Sequence, residues 1–127
     1  MSDIPESLRY TAEHEWIRME EGVAVVGITD HAQDALTDIV WIEFLSEEGD
    51  SVEENGSIAS VESVKSVSDI YAPLAGTIVD LNHDLQDAPE AINEDAYGSW
   101  IAKIELTDAD AVDGLLDAAG YAALIGE

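Results

Sequence analysis

The chain has no cysteine, so the polypeptide offers neither a disulfide nor a thiol nucleophile. Cations are nearly as scarce: 4 Lys and Arg stand against 29 Asp and Glu, for a formal net charge of −25. A surface of that sign repels phosphate backbones and anionic lipid headgroups, which argues against nucleic acid and membrane partners. No apolar run approaches the ~18 residues of a spanning helix. The opening MSDIPESLRY lacks a basic segment followed by an apolar one, so no signal peptide is read and a cytoplasmic protein is expected.

What remains is ordinary core material inside an acidic shell. The 127 residues are 46% hydrophobic, too apolar for a disordered acidic tail. They suffice for one domain that buries roughly two thirds of its unfolded surface. The shell repels itself, and at about 1 M salt the Debye length shrinks to ~3 Å. The composition therefore predicts a halophile-like protein that loses ellipticity on dilution into low salt; a fold indifferent to salt would count against this. No domain boundary shows. Residues 1–127 read as one unit with C-terminal helices, about 108–125, packed on it.

Short alternating segments dominate. HEWIRM (14–19) and VAVVGI (23–28) flank EEG, a hairpin signal. TDHAQDAL (29–36) reads as a helix capped by Thr29, with Ala32, Ala35 and Leu36 at helical spacing. In DIVWIEFL (38–45), Val40, Ile42 and Phe44 form the expected core face, with Ile39, Trp41 and Glu43 outside. Further strands are read near Ser51–Val52 and at 57–63, 67–73, 76–82 and 99–106, with Pro89 at a first helical position. Thr107 or Asp108, and Asp117, would cap two short C-terminal helices. Six or more short strands predict a mostly β fold, a small antiparallel sandwich or barrel with a short helix after the second strand.

Chemistry-bearing patterns are few. His14, His31 and His83 lack metal-ligand spacing, so no metal site is expected. DAPEAINEDAYG lacks a calcium-loop pattern, and no phosphate loop or nucleophile–base motif is present. A free-standing enzyme is not expected. Lys65 stands apart. In VESVKSVSD, valines at 61, 64 and 67 bracket a lysine between two strands, at the tip of a turn. In so lysine-poor a chain, an amine kept at a tip suits a task only an amine can do, and acylation is one. The modification would take the net charge from −25 to −26.

YTAEHEW, VGITDHAQDAL, DIVWIEF, VESVKSVSDIYAPLAG and LLDAAGYAALI together resemble, in order, the H-protein family of the glycine cleavage system. The resemblance runs from about Leu8 to Ile125 and is most specific around Lys65. It implies the lipoyl-domain (hammerhead) type of fold, with lipoate in amide linkage on Lys65 and with Glu62 and Gly76 as positions that lipoate-attaching enzymes depend on. It implies a non-enzymatic carrier with three partners: a pyridoxal-phosphate glycine decarboxylase, a tetrahydrofolate-dependent aminomethyltransferase and a flavin (FAD) dihydrolipoyl dehydrogenase. The sulfurs absent from the polypeptide would arrive with the cofactor. By motif position, Glu15, Asp69 and His14 are the expected contacts of the loaded arm, and a monomer is expected.

Two departures stand out. Thr37 occupies a place where the family usually has Gly, and YGSW is a little short before its Trp. Other readings differ by small features. A biotin carrier usually flanks its lysine with methionines, whereas Val64 and Ser66 stand here. A 2-oxoacid dehydrogenase lipoyl domain usually has an acid directly before the lysine. An H-like lipoate relay, or an unmodified acidic interaction module, would share the hairpin; intact mass and glycine–bicarbonate exchange separate them.

Overall fold

The computed structural model describes residues 4–126. Among these residues nine strands form two antiparallel sheets. They are β1 (Arg9–Tyr10), β2 (Glu15–Glu20), β3 (Val23–Ile28), β4 (Ile39–Phe44), β5 (Ser51–Val52), β6 (Ser57–Ser63), β7 (Val67–Tyr71), β8 (Gly76–Leu81) and β9 (Ala102–Leu106). The larger sheet has the order β1-β2-β3-β9-β8-β5, and the smaller β4-β6-β7. Helices α1 (Asp30–Leu36), α2 (Asp84–Asp87), α3 (Ala91–Glu94) and α4 (Ala118–Ile125), with a 3₁₀ segment at Ala109–Gly114, lie between and after the strands. The expected β fold is therefore present. Its helix follows the third strand because the two-residue β1 carries too short a pattern to be read in advance.

Turn chemistry explains the first hairpin. Glu20 pairs with Val23, which leaves Glu21 and Gly22 as a two-residue loop. Both have positive φ, +52° and +84°, the combination that matches the right-handed twist of the flanking strands. Thr29 caps α1 as expected, its side chain accepting from the Ala32 N–H at 3.2 Å. Asp108 and Asp117 cap the 3₁₀ segment and α4.

The main core lies between the sheets. Ile17, Val26, Ile78 and Ile104 of the larger pack against Ile42, Val61 and Ile70 of the smaller. A second cluster of Leu8, Tyr10, Trp16, Val25 and Tyr121 covers the far face of the larger sheet. Three consecutive side chains of β2, Glu15, Trp16 and Ile17, are consequently buried. The tail returns to β1 through a two-way backbone bridge, Tyr10 N–H to Leu116 O at 2.8 Å and Leu116 N–H to Tyr10 O at 3.0 Å.

The alternation expected of β4 does not hold throughout. A register shift between Ile39 and Trp41 inserts one residue against β6. Ile39 thereby rejoins Ile42 inside, while Val40 and Trp41 stand about half exposed at 50% and 46%. A bulge does this by placing two residues opposite one. A second shift, between Ser57 and Ala59 of β6, buries Ile58 and Ala59 in succession. Pro89 also differs from expectation: Glu90 is the N-cap of α3, so Pro89 lies one residue before it, and α2 was not foreseen.

Candidate functional site

Lys65 sits between β6 and β7, where Glu62 pairs with Val67 and leaves Ser63–Ser66 as the turn. Ser63 organises that turn. Its backbone N–H donates to Ser66 O at 2.8 Å, and its hydroxyl donates to the same carbonyl at 3.1 Å. The hydroxyl oxygen also accepts the N–H groups of Lys65 and Ser66 at 3.1 and 3.0 Å. Serine two positions before the lysine is thus explained by local side-chain-to-backbone bonding. From the opposite side, the Val64 N–H donates to Asp38 O at 3.0 Å. The backbone is fixed while the Lys65 side chain stands exposed, with no ion pair among the described residues.

Glu62 is brought beside this turn. Trp41, Glu62 and Val67 are directly opposed across β4, β6 and β7, and opposed residues share a face. The outer face of the smaller sheet therefore shows an exposed Trp, Glu and Val in one row, next to the exposed Val64. Gly76 is not brought there. It opens β8 in the larger sheet, and a Cβ on it would lie 2.3 Å from Glu105 O. Close approach of β9 accounts for glycine at that position.

A cleft of about 150 Å³ lies between α1, the loop before β2 and β7. Its polar lining is Glu13, His14, His31, Ser68 and Asp69, and its apolar lining includes Ile28 and Leu36. Asp69 and His14, both expected as arm contacts, do line it. The His14 backbone has φ of +67°; its carbonyl accepts the Thr29 N–H at 3.0 Å. The imidazole rings of His14 and His31 are 5.0 Å apart. Burial, followed by the neighbouring His31, lowers the His14 pKa, and Glu13 opposes this.

Glu15 is placed differently. It is buried, and its carboxylate accepts the Tyr71 N–H at 2.6 Å and the Thr11 hydroxyl at 3.1 Å. It lines no part of the cleft and instead joins β2 of one sheet to the end of β7 in the other. Burial pushes its pKa up to about 7 against the pull of those two hydrogen bonds, with Glu13 adding to the rise. Sequence reasoning missed Glu13 and His31 as cleft residues and Tyr121 as a hydrogen-bond partner of His14 and Thr29. A helical repeat starting at Thr29 could have turned His31, Ala32, Ala35 and Leu36 toward one side; nothing local signals Tyr121. Among the described residues no three His, Asp or Glu side chains gather to hold a metal ion, and no helix is long and apolar enough to cross a membrane.

Residues 8–127 match the family model described as Glycine cleavage H-protein. The chain is 50% identical over 126 residues to the glycine cleavage system H protein of Burkholderia vietnamiensis, covering 98% of this chain and 99% of that one. It is 51% identical over 128 residues to glycine cleavage system H protein 2 of Pseudomonas putida, covering all of both. A crystal structure of the glycine cleavage system H protein from Mycobacterium marinum superposes with a TM-score of 0.89 at 39% identity, covering 98% of this chain and 100% of that one. With a family model and close relatives matched over nearly its whole length, and with the lysine hairpin in place, the chain belongs to the glycine cleavage H-protein family.

Proposed function

We propose that this chain is the lipoyl carrier of a glycine cleavage system, with lipoate amide-linked to Lys65. One observation carries the reading: a solvent-facing lysine, among only 4 cationic residues, stands on a hairpin turn whose backbone is held by Ser63 and Asp38. Lipoate on Lys65 would supply a dithiolane that takes up the one-carbon amine fragment of glycine and is left, still amide-linked, as a dithiol. The chain supplies an anchor, a place to rest the arm and a surface for partners. It performs no chemical step itself.

The residues present fit such an arm. From Val67, where β7 begins, to Asp69 the strand advances about 7 Å, and an extended lysine side chain with an eight-carbon acyl chain spans roughly 14 Å. An arm folded along β7 is therefore long enough to reach the cleft. There Glu13 and Asp69 offer carboxylates to a cationic amine, and Ile28 and Leu36 offer apolar surface to its chain. Glu15 serves the arm indirectly, by fixing Tyr71 at the end of the same strand. Lipoate-attaching enzymes read Glu62 on the exposed row beside the lysine, and Gly76 acts on them through the sheet geometry it permits.

The partners are those of glycine cleavage: a pyridoxal-phosphate decarboxylase, a tetrahydrofolate-dependent aminomethyltransferase and a flavin-dependent dihydrolipoyl dehydrogenase. Tethering raises the arm's effective concentration for whichever one is docked. The chain acts as one carrier unit, monomeric and cytoplasmic, its tail held to β1 by the Tyr10–Leu116 bridge. Intact mass of protein from lipoylating cells should show one lipoyl adduct, absent in Lys65→Arg. Glycine–bicarbonate exchange with a matched decarboxylase should then require the adduct. A wild-type mass without it would end the proposal, and an adduct without exchange would leave a lipoate relay instead.

A further inference from the structure

Tyr121 comes from the C-terminal helix, yet its hydroxyl reaches two walls of the cleft. It lies 2.8 Å from His14 Nδ1 and 2.8 Å from Thr29 Oγ1. Its ring stacks on Tyr10 with centroids 4.8 Å apart, so the phenol is held on its face as well as at its tip. Thr29 is fully buried, and its Oγ1 already accepts the Ala32 N–H. Among the described residues, the acceptor within reach of the Thr29 hydroxyl hydrogen is the Tyr121 oxygen. A buried hydroxyl left without an acceptor is costly, so Thr29 donates to Tyr121 and the Tyr121 hydroxyl donates onward to His14 Nδ1.

We infer that Tyr121 is a positioning residue of the arm cleft, holding His14 neutral with its proton on Nε2. This rests on the reading that the loaded arm lodges in that cleft. A hydroxyl donating to Nδ1 stabilises the imidazole and opposes the imidazolium, which would need that nitrogen for a proton. The consequence is electrostatic. Besides the Tyr121 phenol, the charged and titratable groups that line the cleft with His14, among the described residues, are Glu13 on its own loop, His31 on α1 and Asp69 on β7. With His14 neutral, the two carboxylates dominate and suit a cationic amine; with His14 charged, that preference weakens. The left-handed backbone of His14 and its bond to Thr29 keep the ring where the phenol can reach it. Burial and His31 act in the same direction, lowering the pKa.

The test begins with the unmodified protein. Long-range ¹H–¹⁵N correlation of the histidine rings should find His14 as the Nε2–H tautomer at pH 7.5. In Tyr121→Phe, which keeps the ring stack, the tautomers should mix and the His14 titration midpoint should move upward. The loaded holo-protein should then release ammonia about fivefold faster in Tyr121→Phe, the worth of roughly one hydrogen bond, with the difference growing as pH falls toward 6. An Nδ1–H tautomer in the wild type overturns the inference, as does an unchanged His14 titration or release rate in Tyr121→Phe. Asp69→Asn distinguishes the two levels. Release unchanged in that variant too means that the arm does not rest in this cleft at all, whereas faster release there with none in Tyr121→Phe rejects only Tyr121's role.

Discussion

The two sheets are built to different standards. The larger is covered over most of both faces, with Trp16, Tyr10 and Tyr121 on one side and the shared core on the other, and leaves Val79 exposed. The smaller is covered on one face only. Its three strands contain two register shifts, against one between Ile78 and Asp80 in the larger sheet, and leave Val40, Trp41, Val64 and Val67 exposed in and beside the lysine hairpin. Large apolar side chains held in water on a shell of carboxylates do not stabilise the fold. They are the kind of surface that an enzyme closing over the hairpin would cover. The larger sheet acts as scaffold and the smaller as display, and they meet through the core and the buried Glu15.

That contrast can be broken at the display. Lys65→Arg should leave the circular dichroism and the melting temperature unchanged while lipoate attachment falls to nothing, because a guanidinium cannot form the amide; an adduct surviving in the variant would move the site elsewhere. On the scaffold side, Gly76→Ala should lower stability by about 3 kcal/mol through overpacking against the β9 backbone, measured by urea unfolding. A neutral Gly76→Ala would mean that β8 and β9 separate more easily than the structure implies.

Glu15→Gln probes the join. An acid whose folded pKa lies above its unfolded value binds a proton on folding, so stability falls as pH rises from about 4.5 through about 7. The glutamine variant should flatten that decline and be the more stable protein at pH 8, by up to about 3 kcal/mol if the whole shift is realised. Comparing the two proteins at each pH cancels the repulsion of the remaining acids. If both melt in parallel from pH 5 to 8, the carboxylate is not strained by burial.

The smallest effect is expected at the seam between α1 and β4. Thr37 has φ of +66°, a region costly for a β-branched residue. Its N–H donates to Gln33 O at 3.0 Å, and its carbonyl accepts from the Asn93 side chain at 2.7 Å. Thr37→Gly should therefore stabilise by about 1 kcal/mol, strain relief being offset in part by glycine's greater freedom when unfolded. A loss of stability instead would show that the methyl group contributes packing.

Much of this was legible beforehand for identifiable reasons. The hairpin at Glu21–Gly22, the Thr29 cap and the β9 alternation follow from local chemistry that acts within a few residues. The lysine at its turn was legible because the chain has so few others. Bulges were not, since Ile39 and Val40 exchange places through pairing with a strand some twenty residues on. The cleft was half legible. His14 and Asp69 carried motif positions, but their meeting, and the arrival of Tyr121 from over a hundred residues away, depend on how the two sheets close. Glu15 was read as a contact because its motif position names the residue and not its direction, and the fold turns it inward.

The bond from the Val64 N–H to Asp38 O sets a gauge. Asp38 follows Thr37, the C-cap of α1, and α1 is one wall of the cleft. The foot of the lysine and the place where its arm would rest are thus ruled from the same short piece of chain. The bond ties the lysine turn to the residue directly after the C-cap of that helix. An arm of limited reach needs a span that stays within it. A residue inserted between Leu36 and Ile39 would put the arm out of measure while leaving every functional side chain present.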